Sequence, residues 1–164
     1  MKQDRFLIGI LVGIALLVVV AVGLFFARRE VQEYGPEDAP QGVIRNYVLA
    51  LENGDYQRAY GYLREADWKP DYDQFRSAFL TRQLETTNAA VQIGEVRETG
   101  VDAVVELVVM RGGRGPFGDV YRESTRALLE KDGNGNWKIV NLPYPYWGWD
   151  WYVPRPETEI KPPQ

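Results

Sequence analysis

Residues 6–27 form a run of 22 residues that lacks any charged or polar side chain. As an α-helix rising 1.5 Å per residue, this run would extend about 33 Å, the thickness of a hydrocarbon core. A cleavable secretory signal has a shorter apolar region of roughly 7–15 residues, followed by small residues. Phe25 and Phe26 stand where the small residues would be needed. The sequence therefore predicts an uncleaved transmembrane helix at residues 6–27, in contact with membrane lipid, behind a short flank at residues 1–5.

The flanks of this run carry the charges that decide how it would cross a membrane. Lys2 and Arg5 precede it, and Arg28 and Arg29 follow it. Basic residues favour the cytoplasmic side, and the α-amino group adds one positive charge to the N-terminal flank. We therefore expect a single-pass protein of the cell membrane whose large domain lies on the extracytoplasmic side.

Beyond the apolar run, the periodicity of the sequence indicates a helical region. Residues 28–39 are polar and contain Gly and Pro, which is typical of a linker. From residue 40 the apolar positions recur every three or four residues, which predicts three successive helices. We expect Asp55 to cap the second helix, and either Asp71 or Asp73 to cap the third. The inward faces should hold Val43, Tyr47, Ala50 and Leu51, then Tyr56, Ala59, Tyr60 and Leu63, then Tyr72, Phe75, Phe79 and Leu84.

After the third helix the apolar period changes to two, which is typical of β-strands. Four such segments follow, and the short Gly-rich turns between them predict an antiparallel meander. Residues 40–154 are therefore predicted to form an α+β domain, with three helices packed on one face of a four-stranded sheet. A hairpin that is symmetric about Arg114-Gly115 would place Glu106 diagonally between Arg122 and Arg126.

Two stretches of the domain share positions with a known superfamily. They are VIRNYVLALENGDYQRAYGYL and the last predicted strand, NWKIVNLP. The shared positions are Gly54, Asp55, Tyr56, Ala59, Tyr60 and Leu63 in the first stretch, and Trp137 and Ile139 in the second. Over residues 39–143 the chain resembles the nuclear transport factor 2-like superfamily, and most of all its membrane-tethered extracytoplasmic bacterial members. The resemblance implies a cone-shaped domain with a curved sheet, and it implies no particular activity.

The composition excludes several kinds of site. The chain contains no histidine and no cysteine, which removes Ser-His-Asp and Cys-His nucleophilic sites and His/Cys metal sites. We therefore expect no catalytic residue, no cofactor and no metal ligand. Residues 132–136 imitate a calcium loop but have Trp137 and Pro143 where that loop needs Gly and Glu, so a hairpin turn is predicted. Residues 31–164 carry 15 basic and 21 acidic side chains, a net charge of −6, and nucleic acid is not expected as a partner.

An enzyme is the alternative function. It would be a small acid–base catalyst of the isomerase or dehydratase type, using a carboxylate and a tyrosine in the cavity of the cone. A deep pocket with an unpaired carboxylate beside a tyrosine would favour this alternative. A cavity filled by the protein's own side chains would favour a non-catalytic module. Tyrosines are plentiful in the predicted domain, at Tyr47, Tyr60, Tyr62 and Tyr121.

Residues 144–154, YPYWGWDWYVP, contain six aromatic residues, including three of the five tryptophans. In an extended chain Trp147, Trp149 and Trp151 would point one way and Tyr152 the other. The segment could close the domain's own core, contact the membrane interface, where Trp and Tyr concentrate, or form a stacking platform for a glycan or extended peptide. We favour the first, because a large exposed apolar patch is uncommon without a partner. Trp147, Trp149, Trp151 and Tyr152 are the candidate binding surface.

The expected function is that of a non-catalytic binding or assembly module of the cell envelope. Besides membrane lipid at residues 6–27, its partner would be an unidentified protein, glycan or small molecule. Gly9 and Gly13 have the spacing that lets transmembrane helices approach closely, so a homodimer is a further alternative. Residues 155–164 are Pro-rich and polar, and are predicted to be a mobile tail.

Overall fold

A computed structural model of the chain describes residues 2–27, 33–112 and 118–154. Arg28, Arg29, the centre of the predicted Arg114-Gly115 hairpin and the tail at residues 155–164 lie outside the described residues. The chain divides into two compact units, Met1–Glu33 and Tyr34–Gln164.

The first unit is a single helix, α1, at Lys2–Ala27. Every residue of α1 whose side chain is described, Ile8 and residues 10–23, is exposed. No helix within the described residues is long and apolar enough to cross a membrane. The side chains of residues 2–7, 9 and 24–27 lie outside the described set, so the anchor at residues 6–27 stays a prediction.

Three helices open the second unit, as the periodicity predicts: α2 at Pro40–Glu52, α3 at Tyr56–Gly61 and α4 at Tyr72–Leu80. Asp55 caps α3 by accepting a hydrogen bond from the backbone N–H of Arg58, and Asp71 caps α4 in the same way from Gln74. The predicted inward faces lie in the core, except that Tyr56, Tyr60 and Tyr72 are half-buried.

Four strands follow in a meander with the order β1-β2-β3-β4, all antiparallel: β1 at Ala89–Thr99, β2 at Asp102–Gly112, β3 at Val120–Lys131 and β4 at Trp137–Asn141. Alternate residues of β2, from Ala103 to Val109, are buried. The α+β architecture predicted from the sequence is therefore confirmed, with four helices in all among the described residues and one four-stranded sheet.

The register of the β2–β3 hairpin differs from the symmetric one. Glu106 lies directly opposite Arg126, and Arg122 lies opposite Met110. The predicted diagonal position of Glu106 is therefore wrong. Glu106 instead accepts a hydrogen bond of 3.4 Å from Arg97 on β1.

The outer edge of β4 is covered by the chain that leaves α3. The backbone N–H of Ile139 donates to the carbonyl of Tyr62 at 2.8 Å, and the N–H of Arg64 donates to the carbonyl of Ile139 at 3.0 Å. This parallel pairing ends α3 earlier than its apolar periodicity predicts. It also fixes Arg64 beside the end of the sheet.

The second unit includes part of the stretch that is predicted to be a linker. The second unit begins at Tyr34, although the sequence analysis assigns residues 28–39 to a linker. The buried side chain of Asn46 accepts from the N–H of Gly35 at 2.9 Å and donates to its carbonyl at 2.8 Å. This pairing between residues that are distant in the sequence holds Gly35 in the second unit, and the composition of the predicted linker does not reveal it.

Candidate functional site

The aromatic segment after β4 folds as two turns. The N–H of Tyr146 donates to the carbonyl of Pro143 at 2.9 Å, and the N–H of Trp151 donates to Gly148 at 3.3 Å. Tyr152 has a positive φ of 60° and donates its N–H to the carbonyl of Trp68 at 3.0 Å. The segment is therefore not extended, because each turn rotates the chain and breaks the alternation of side chains that an extended chain would show.

The two turns separate the three tryptophans into two environments. Trp147 and Trp151 are 8% and 7% exposed, whereas Trp149 between them is 82% exposed. The ring of Trp151 lies 5.2 Å from that of Trp147 and 5.2 Å from that of Phe75 on α4. Two of the predicted residues therefore complete the core, and the third is presented to solvent.

Gly148 is required for this arrangement. A Cβ at Gly148 would collide with the indole of Trp151. The sequence WGW therefore lets a buried ring pack directly against the backbone of the turn that presents Trp149.

All four residues predicted as a binding surface line one open cleft of about 600 Å³. Tyr152 is half-buried and stacks on Trp147, with ring centres 5.6 Å apart and planes 9° apart. The cleft therefore has an aromatic wall. Its other lining residues include Arg64, Gln83, Leu84, Leu128, Val140, Asn141, Leu142 and Tyr144.

Arg64 is a lining residue that the sequence analysis does not identify. Its Nη1 donates to Glu130 at 3.0 Å, and its side chain is 32% exposed. Its Nε is buried and has no hydrogen-bond partner among the described residues. The hydroxyl of Tyr152 donates to the backbone carbonyl of Arg64 at 2.6 Å, and burial raises the pKa of Tyr152 well above its ordinary value. Only the pairing of the Tyr62–Arg64 segment with β4, a long-range contact, brings Arg64 here.

A second cluster places a carboxylate beside a tyrosine, the arrangement that the enzyme alternative requires. Glu37 accepts hydrogen bonds from the hydroxyl of Tyr62 at 2.6 Å, from Arg58 at 2.7 Å and from Asn46 at 3.2 Å. Glu37, Arg58 and Tyr62 line a cleft of about 450 Å³ together with Lys138. No sequence pattern identifies Glu37 as a site residue, because it lies in the stretch predicted to be a linker.

The environment of this carboxylate favours its ionised form. Partial burial alone would raise the pKa of Glu37, but the hydrogen bonds from Tyr62, Arg58 and Asn46 outweigh it and hold the pKa below its usual range. Burial, and then the hydrogen bond to Glu37, raise the pKa of Tyr62 to about 12. A general base needs a pKa near the working pH, and three donors on Oε1 hold the pKa of Glu37 below its usual range.

The other predicted tyrosines hold the structure together or face solvent. Tyr47 is buried and donates to the carbonyl of Tyr146 at 2.7 Å, and Tyr60 donates to the carbonyl of Pro70 at 2.9 Å. Tyr121 is exposed. In the described part of the chain, no group of three or more acidic residues is arranged to hold a metal ion.

The chain was compared with known proteins. No protein-family profile matches it, and no curated protein has a significant match to it. It is similar to the solution structure of a SEC-C motif containing protein from Rhodopseudomonas palustris, with 15% identity, a TM-score of 0.49, and coverage of 65% of this chain and 79% of that chain. It is also similar to an uncharacterized cystatin fold protein from Novosphingobium aromaticivorans, with 11% identity, a TM-score of 0.44, and coverage of 65% and 100%. Neither similarity carries an argument about function.

Proposed function

We propose that this chain is a membrane-anchored, extracytoplasmic and non-catalytic binding module of the cell envelope, and that it binds its partner at the aromatic cleft. The observation that carries the proposal is the division of the aromatic segment. Trp147 and Trp151 fill the interior, while Trp149 lies exposed at the mouth of a cleft.

The proposed anchor is α1. Residues 6–27 are apolar throughout, and each residue of the helix whose side chain is described is exposed, which suits contact with lipid. The expected result is a full-length chain in the membrane fraction that alkaline carbonate does not extract. Intact mass tests processing, and a mature chain that begins near Arg28 would contradict the anchor.

The proposed orientation puts the domain outside the cytoplasm. Its support is the α-amino charge, because the basic residues on the two flanks balance. Protease added to intact cells, or to spheroplasts if an outer membrane is present, should digest the domain. Protection there, with digestion only after lysis, would reverse the orientation.

We also propose that the domain is a nuclear transport factor 2-like cone. Three helices followed by an antiparallel meander support this, as does the position of Asp55 as the cap of α3. Trp137 and Ile139, the two residues of the resemblance in the last strand, are both buried in the core. An experimental structure whose sheet is flat rather than curved around the helices would contradict the cone.

Binding is favoured over catalysis because of what occupies the space between the helices and the sheet. Trp151 packs against Phe75 and Phe79, and the core cluster includes Tyr146 and Trp147 as well. The interior is therefore filled by the protein's own aromatic rings. The enzyme alternative keeps one candidate, Glu37 beside Tyr62, and that carboxylate is engaged by three donors.

Site-specific photo-cross-linking in growing cells tests the binding function directly. A photoreactive phenylalanine analogue at Trp149 should give a covalent adduct on irradiation. The same analogue at Val101, exposed in the β1–β2 turn and outside the cleft, is the control. Equal adduct yields at the two positions, or none at Trp149, would contradict a binding function for the cleft.

A further inference from the structure

We propose that the ligand of the aromatic cleft is a neutral glycan, with the ring of Trp149 as the surface on which a sugar stacks. This rests on the proposed binding function and names the chemical class of the partner. Three features of the cleft carry it: a rigidly presented aromatic ring, nearby hydrogen-bonding side chains, and a charge balance that suits an uncharged ligand.

The presentation of Trp149 is the first feature. The residues two positions away on either side, Trp147 and Trp151, are buried in the core, so the backbone of the turn is held at both ends. The backbone that carries the 82% exposed indole is therefore organised before a ligand arrives, which lowers part of the entropic cost of binding. The C–H bonds of a pyranose ring carry slight positive charge and complement the negative face of an indole.

The hydrogen-bonding groups of the cleft are the second feature. Gln83 and Asn141 line it with exposed side chains, and an amide both donates and accepts hydrogen bonds. Arg64 adds a guanidinium whose side chain is 32% exposed and paired with Glu130. Sugar hydroxyls also donate and accept, so mixed amide and guanidinium groups beside an aromatic wall suit a glycan better than a purely apolar ligand. The cleft volume of about 600 Å³ lies within the range of small-molecule sites, roughly 300–1,000 Å³, and fits a short oligosaccharide.

The charge around Trp149 is the third feature. The guanidinium of Arg64 is paired with Glu130, and Asp150 is exposed next to Trp149. Residues 31–164 carry a net charge of −6. The acidic surface around Trp149 would therefore repel an acidic polymer or an anionic lipid surface. A membrane-inserting tryptophan would also have to carry Asp150 with it toward the lipid. A neutral glycan meets none of these costs.

Saturation-transfer NMR on the full chain tests the ligand class. The chain is reconstituted in nanodiscs of zwitterionic phosphatidylcholine, and the probes are cellotriose, chitotriose and maltotriose at millimolar concentration. We expect saturation of the ring protons of at least one probe, and a loss of about tenfold or more in affinity for Trp149→Ala, the scale of a lost aromatic anchor. Trp149→Phe should retain part of the affinity because it keeps an aromatic face.

Tyr121→Ala is the matched control, because Tyr121 is also an exposed aromatic residue, at 58%, and lies outside the cleft. It should leave probe binding unchanged. Absence of saturation transfer to all three probes, or equal transfer with Trp149→Ala, would overturn the glycan. The glycan would also be overturned if the full chain in phosphatidylcholine nanodiscs bound lipid vesicles and Trp149→Ala abolished that binding.

The cross-linking experiment distinguishes a wrong ligand class from a wrong binding function. A Trp149 adduct whose mass and glycosidase sensitivity identify carbohydrate supports both proposals. An adduct with protein or lipid overturns the glycan and leaves the binding function standing. No adduct, together with no probe binding, overturns both.

Discussion

The hydroxyl of Tyr47 on α2 donates a 2.7 Å hydrogen bond to the backbone carbonyl of Tyr146, 99 residues later in the chain. Both tyrosines are at most 1% exposed. The bond therefore ties the aromatic segment to the first helix of the domain. The hydroxyl of Tyr146 itself is buried and has no hydrogen-bond partner among the described residues.

This pair predicts opposite effects for two identical substitutions. Tyr47→Phe should lower the free energy of unfolding by about 1–3 kcal/mol, because it leaves the buried Tyr146 carbonyl without a donor. Tyr146→Phe should leave stability unchanged or raise it slightly, because it removes an unpaired hydroxyl. The relative stability of the two variants is checked by thermal melts of the full chain in detergent, monitored by near-ultraviolet circular dichroism. A greater loss for Tyr146→Phe would contradict the assigned bond.

Gly148 gives a second prediction. Gly148→Ala should destabilise the domain by about 1–3 kcal/mol, since the new Cβ forces the buried indole of Trp151 to move. Gly133→Ala, in the turn between β3 and β4, is the matched control, because its Cβ would meet no atom within 4 Å. The control should change stability by less than about 0.5 kcal/mol. Equal melting temperatures for the two variants would show that the turn does not pack against Trp151.

The Glu37 cluster predicts a dependence of stability on pH. The pKa of Glu37 is lowered on folding, so the cluster stabilises the folded state above the unfolded pKa of about 4.5, and this contribution is lost as pH falls through the lower folded pKa. Its side chain is 43% exposed, so solvent screening keeps the effect modest. Melting temperatures between pH 6 and pH 3 should fall less steeply for Glu37→Gln than for the unaltered chain.

Glu95→Gln is the control for that experiment. The nearby Arg97 lowers the pKa of Glu95 by hydrogen bonding and by its charge, but the Glu95 side chain is 61% exposed, so solvent screens this effect. Its replacement should leave the pH dependence nearly as steep as in the unaltered chain. A flatter profile for Glu95→Gln than for Glu37→Gln would contradict the role assigned to Glu37.

The helices and strands were predictable because their signals are local. The alternation from Ala103 to Val109 and the caps at Asp55 and Asp71 lie within the elements that they define. The register of β2 against β3 was not predictable in this way, because it depends on how the intervening turn closes. Glu106 consequently lies opposite Arg126 rather than between two arginines.

The candidate site was predictable in its residue types and not in its geometry. An unusual density of tryptophans identified Trp147, Trp149, Trp151 and Tyr152, and all four line the cleft. Their orientations depend on bonds to distant residues, such as the one from the Tyr152 N–H to the carbonyl of Trp68. No local pattern contains that information, and the same holds for the placement of Arg64 by β4.

The central claim is that Trp149 serves binding whereas Trp151 serves the fold, and one paired measurement tests it most directly. Two quantities are measured for the full chain and for its Trp149→Ala and Trp151→Ala variants. They are the melting temperature and the affinity for the oligosaccharide probe that binds the unaltered chain. Trp149→Ala should keep the melting temperature nearly unchanged, because its ring is 82% exposed, and should weaken binding by about tenfold or more. Trp151→Ala should lose about 3–5 kcal/mol, the typical cost of removing a buried aromatic ring. A Trp149→Ala variant that binds normally, or one that melts as early as Trp151→Ala, would contradict the account.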